Sequence, residues 1–137
     1  MAEQRWKLVL DTNLLVAAFW NRRSASARIL EGALEGEFAV FYTPRMRAEL
    51  DLVLRNIRAT QPYRERVDSF FDRAVRLEGR PAPVYTEDAE DQKFLECAAA
   101  ADADYLITSD EHLLRLKSVG NTAIVTPTRF LRETHLR

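Results

Sequence analysis

Trp6-Lys7-Leu8-Val9-Leu10-Asp11-Thr12-Asn13 is the stretch from which the rest of the chain can be read. A short apolar run, broken only by Lys7, ends in three residues that favour helix caps. Leu14 to Trp20 then follows helical spacing. A strand passing straight into a helix is the opening of an α/β unit.

Working outward, Ser24–Glu35 reads as a second helix, with Gly36 placed to stop it. Phe38–Tyr42 reads as a buried strand, and Thr43-Pro44 supplies the N-cap and first turn of a helix reaching about Arg58. Pro62 opens another helix, with Tyr63, Val67, Phe70, Phe71 and Ala74 on its apolar face and Gly79 as its stop. Pro81–Tyr85 reads as a short edge strand, a place where proline is tolerated. Thr86–Ala101 carries Phe94, Cys97, Ala98 and Ala101 at i, i+3, i+4 and i+7, the mark of a helix. Tyr105–Thr108 and Thr122–Val125 complete the strands, and Pro127 starts a terminal helix. Strand and helix alternate, which predicts an α/β fold: a central parallel sheet, helices on both faces, right-handed crossovers. At 137 residues the chain is expected to be one domain, residues 1–137.

Composition removes whole classes of function. A hydrophobic fraction of 47% with 30% charged residues argues against disorder. The four glycines are too scattered for a dinucleotide fingerprint or a phosphate loop. One cysteine, Cys97, excludes an internal disulfide framework and suits a reducing cytoplasm. His112 and His135 do not form the H-E-x-x-H pattern of a metalloprotease. The apolar run Leu14–Trp20 is seven residues, far below the ~20 of a membrane helix, so no membrane association is expected. Glu3 and Asp11 break any signal-peptide pattern, and the expectation is a soluble, cytoplasmic protein.

What the chain has in supply is carboxylate. From Glu87 to Glu111 nine acids face a single base, Lys93, although net charge is only −1. Asp11 ends the first strand and Asp110 follows the Tyr105–Thr108 strand; both belong at the carboxyl edge of the sheet, where open α/β sheets bind ligands. Glu49, in the helix after Phe38–Tyr42, belongs there as well, and Asp91 joins if its helix starts at that edge. Four carboxylates gathered with no lysine or arginine partner need a cation or bound protons. Oxygen donors without sulfur or imidazole suit Mg²⁺ or Mn²⁺, and such a site serves phosphodiester hydrolysis.

The same residues carry a family resemblance. Leu8-Val9-Leu10-Asp11-Thr12-Asn13 resembles the opening motif of PIN-domain ribonucleases, and Glu49-Leu50 with Val53-Leu54 resembles their acidic helix. Asp91-Gln92-Lys93-Phe94-Leu95-Glu96-Cys97-Ala98 and Ala103-Asp104-Tyr105-Leu106-Ile107-Thr108-Ser109-Asp110 are similar to the third and fourth motifs, in order and at matching spacing. Within the family the chain is most similar to toxins of bacterial type II toxin–antitoxin systems (VapC-like). The resemblance implies a three-layer α/β/α PIN-like domain and endonucleolytic cleavage of RNA with Mg²⁺ or Mn²⁺. It implies Asp11, Glu49, Asp91 and Asp110 as catalytic and metal-site acids, with Asn13, Thr108 and Ser109 behind them. An antitoxin protein is the implied partner, and a homodimer is left open. One departure is Asp88-Ala89-Glu90-Asp91, where relatives often carry proline after the first aspartate; whether Asp88 joins the site stays open.

Plainer readings stand beside these. Asp11 reads equally as a helix cap, Glu49 as an exposed helix acid and Asp110 as a turn residue. Arg45 and Arg47, at the start of the Glu49 helix, are placed to meet RNA phosphates, or are simply solvated. Cys97 reads as a buried inert thiol and His112 as a surface residue. A non-catalytic PIN-like domain that binds a metal or partner is the alternative function. An aspartate-nucleophile phosphatase is disfavoured because it needs a second acid where Asn13 stands, and a receiver-like domain because no lysine is evidently placed for its pocket.

Overall fold

A computed structural model describes residues 5–136. The chain runs β1 (Trp6–Leu10), α1 (Asn13–Trp20), α2 (Ala25–Leu34), β2 (Phe38–Tyr42), α3 (Pro44–Asn56) and α4 (Gln61–Arg73). It continues through β3 (Val75–Arg76), a 3-10 turn (Ala89–Asp91), α5 (Gln92–Ala101), β4 (Tyr105–Ile107) and α6 (Glu111–Leu114). β5 (Ser118–Val119), β6 (Thr122–Val125) and α7 (Pro127–Glu133) complete it. Thr43 caps α3 as its sequence predicts, its hydroxyl accepting an N–H from the first turn, and the hydroxyls of Ser24, Thr60 and Thr126 do the same for α2, α4 and α7.

The strands form one sheet in the order β3-β2-β1-β4-β6-β5, parallel except for the β5–β6 pair. From β1 the chain steps outward through β2 to β3, then returns across the sheet to β4 on the other side of β1. Right-handed crossovers in opposite directions put their helices on opposite faces. α5 packs against β1, β2 and β4, while α2 meets β2 and α7 meets β4. Leu8, Val9, Leu106 and Ile107 are accordingly buried completely. α2 lies close on β2 because Gly32 has no side chain: a Cβ there would stand 2.5 Å from the Phe38 ring. Gly36 ends this helical segment with φ +78°, in the left-handed region.

Three sequence expectations are corrected. Pro62–Gly79 is not one helix: α4 stops at Arg73, and Val75–Arg76 pairs with β2 as the edge strand. Pro81–Tyr85 is consequently an irregular segment, its place at the edge taken by β3. Thr86–Ala101 is helical only from the 3-10 turn onward, because the Asp88 carboxylate accepts the Glu90 N–H and caps the chain there. The sheet is mostly rather than wholly parallel, because the two-residue β5 pairs antiparallel with β6.

Candidate metal centre

The order of strands reverses between β1 and β4, so the connections leaving their carboxyl ends diverge, the place where an open α/β sheet forms its crevice. Asp11 follows β1 directly, and its N–H donates to the Ile107 carbonyl at 2.9 Å, extending the β1–β4 pairing. Its side chain is therefore carried inward, and the residue is 2% exposed. Asp11 Oδ1 accepts the Asn13 N–H at 3.0 Å, and Oδ2 accepts the Thr108 hydroxyl at 2.8 Å. The Thr108 Oγ1 in turn accepts the Asp110 N–H at 3.0 Å. One buried hydroxyl thus sets the spacing of two acids. Asp110 caps α6, its Oδ1 accepting the His112 N–H at 2.7 Å.

Asp91 arrives from the turn before α5 and faces Asp110 and Asp11. Its Oδ2 is buried without a hydrogen-bond partner among the described residues. Burial first, then the Asp110 carboxylate, and then the charges of Asp88 and Asp11 push the Asp91 carboxyl up to about 7. Burial also raises Asp11, against the opposing pull of the Asn13 N–H and the Thr108 hydroxyl; Asp110 adds to the rise and Lys93 offsets part of it. These acids share a field that resists their joint ionisation. That condition is what a divalent cation relieves, and an oxygen-rich pocket with a partnerless buried carboxylate oxygen fits Mg²⁺ or Mn²⁺.

Of the four acids read from sequence, Asp11, Asp91 and Asp110 lie within electrostatic reach of one another, whereas Glu49 is engaged by Lys93. Its Oε2 is 2.7 Å from the Lys93 ammonium and its Oε1 is 3.5 Å from Arg45 Nε. The expectation of a cluster without a basic partner is thus corrected by Lys93, which is 6% exposed despite its charge. Lys93 is the one base in the long acidic run, and that was the signal for it. His112, read as a surface residue, is only half-exposed: Asp88, Asp91 and His112 each offer a donor atom, all within 4.8 Å of one another. His112 also lies 3.6 Å from Glu87 and 3.9 Å from Asp110. Its position two residues beyond Asp110, in the turn that Asp110 caps, is what brings it in.

The remaining sequence candidates divide. Asn13 contributes its backbone N–H to Asp11, and both Asn13 and Ser109 are exposed. Arg45 bridges Glu49 and Glu90 at the rim. Arg47 turns to α4, 3.4 Å from Asp68 and with its guanidinium 4.8 Å from the Phe71 ring centre. Cys97 is fully buried, and burial holds its thiol up to about 12, so it stays protonated.

A family model described as PIN domain matches residues 7–112. No curated protein matches the chain in sequence. Among solved structures, a chain of VapBC2 from Rickettsia felis, crystallised bound to a DNA fragment from their promoter, is similar with a TM-score of 0.60. That match has 16% identity and covers 86% of this chain and 96% of the other, a likeness of fold.

Proposed function

The chain belongs to the PIN domain family, and from that premise we propose that it is a Mg²⁺- or Mn²⁺-dependent endoribonuclease, the toxin of a toxin–antitoxin pair. The observation that carries the reading is the convergence of Asp11, Asp91 and Asp110 at the β1–β4 crevice, with an Asp91 oxygen buried and without a hydrogen-bond partner among the described residues. In this reading those three carboxylates hold the cation, with Asp88 and His112 at its outer side. A divalent ion there supplies activation of water and stabilisation of the departing oxygen in phosphodiester hydrolysis.

The chain's own residues do the rest. The Thr108 hydroxyl and the Asn13 N–H hold Asp11 in one orientation, and Thr108 fixes the Asp110 backbone at the same time. Arg45, largely exposed at the rim, can exchange its solvent-screened pairing with Glu49 and Glu90 for an RNA phosphate. The preference for RNA and the toxin role rest on the family resemblance. The structural likeness to a chain of the VapBC2 complex supports a protein antitoxin as partner. An arginine laid by such a partner into the acidic crevice would satisfy the same carboxylates as the cation.

The test is cleavage of matched RNA and DNA oligonucleotides with Mg²⁺, Mn²⁺ or EDTA. RNA cutting that stops in EDTA is expected. Cleavage undiminished by EDTA would overturn the mechanism, and metal-dependent cutting of DNA alone would overturn the substrate. Metal binding without cleavage of either would favour the non-catalytic alternative.

A further inference from the structure

Lys93 is a buried cation beside a pocket rich in acids. It sits in the first turn of α5, two residues after Asp91, so the helix that delivers an acid to the crevice delivers a base beside it. A buried ammonium is costly unless its donors are met, and here they are. Nζ lies 2.7 Å from Glu49 Oε2, donates to the Glu90 carbonyl, and stands 4.6 Å from the centre of the Phe94 ring. Glu49's other oxygen faces Arg45 Nε, so both of its oxygens look onto cations. The contrast with Asp91, whose buried Oδ2 meets no donor among the described residues, is direct.

We propose that Lys93 is a positioning residue that acts as a resident cation on the Glu49 side of the pocket, holding Glu49 out of the divalent ion's coordination. The inference rests on the metal reading above. A divalent ion on that side would have to approach an ammonium already seated against the carboxylate, and like charges there oppose it. Glu49 then serves the site by neutralising Lys93, and Asp11, Asp91 and Asp110 coordinate without it.

The experiment titrates Mn²⁺ into the metal-free full-length protein and follows free Mn²⁺ by electron paramagnetic resonance. Glu49→Gln leaves the Lys93 charge unneutralised and should lose a few-fold in affinity at most, while Asp91→Asn should lose about tenfold or more. Lys93→Met releases Glu49 and should bind Mn²⁺ more tightly or take up an additional ion. That gain should vanish in the Lys93→Met, Glu49→Gln double variant, and Lys93→Arg should restore wild-type behaviour. Circular dichroism checks that each variant is folded; where Lys93→Met is not, the Glu49→Gln and Asp91→Asn comparison decides alone. Equal losses in Glu49→Gln and Asp91→Asn would overturn the inference and leave the metal reading intact, as would a folded Lys93→Met with no gain. Absence of Mn²⁺ binding in the wild type would overturn both.

Discussion

The two sides of the acidic pocket are built on different physics. Along β1 and β4 the carboxylates are held by neutral donors: a hydroxyl and backbone N–H groups, fixed by the sheet. Along α3 and α5, Glu49 is held by cations, one buried and one at the rim. Neutral donors orient an acid while leaving its charge available; a paired ammonium cancels it. The difference teaches that an acid's place in a sequence motif does not by itself say which of these two states it occupies.

The largest expected effect breaks the β1–β4 side outright. Asp11→Asn or Asp110→Asn removes a charge from the pocket and should lower metal-dependent RNA cleavage more than about 100-fold, beyond the cost of losing an orienting partner. The variants should fold, and should melt no lower than wild type in EDTA, because mutual repulsion among the acids is relieved. Cleavage assays and thermal melts on the same preparations check both halves.

Thr108→Val tests orientation without touching charge. Asp11 and the Asp110 backbone lose their shared hydroxyl, and Mn²⁺ affinity should fall about 10–100-fold. Calorimetric titration with Mn²⁺ measures it; an unchanged affinity would mean that the hydroxyl is packing alone.

A smaller effect lies in pH. The folded, metal-free chain holds the Asp91 proton up to about 7, whereas the unfolded chain releases it near 3.8. Between these values the folded state binds more protons, so this group's contribution to stability falls as pH rises from about 4 to about 7. Melts in EDTA across that window should show the decline, and Asp91→Asn should flatten it.

Least affected is activity in a variant remote from both sides. Cys97→Ser should leave cleavage unchanged and cost about 1–3 kcal/mol of stability, by placing a hydroxyl in apolar packing. Lost cleavage with an unchanged melt would make the thiol part of the chemistry.

How much of this was legible follows from element length and from what each side chain meets. β1, β2, β4 and β6 are apolar runs flanked by caps and turns, and their reading put Asp11 and Asp110 at the correct edge. β3 and β5, with two residues each, are too short to carry a periodicity. Pro81–Tyr85 has edge-strand composition, yet pairing requires a free edge and Val75–Arg76 already occupies it. Glu49 was correctly placed near the crevice, but its pairing with Lys93 joins helices 44 residues apart in sequence, and only packing of α3 on α5 creates it. Lys93 stands out in sequence as the one base in the acidic run, but its burial against Glu49 is fixed only by the packing around it.

The hydrogen bond between Thr108 and Asp11 spans 97 residues, and β1 lies between β2 and β4 in the sheet. During synthesis β1 must wait for β4, made long after it, before its central position is filled. Loop closure of this length is paid before the contact rewards it, which makes the pairing a late event in folding. A nascent chain ending before Tyr105 carries Asp11, Glu49 and Asp91, but not the strand or the hydroxyl that orient Asp11. Translation order alone therefore delays assembly of the pocket until Thr108 and Asp110 have been made.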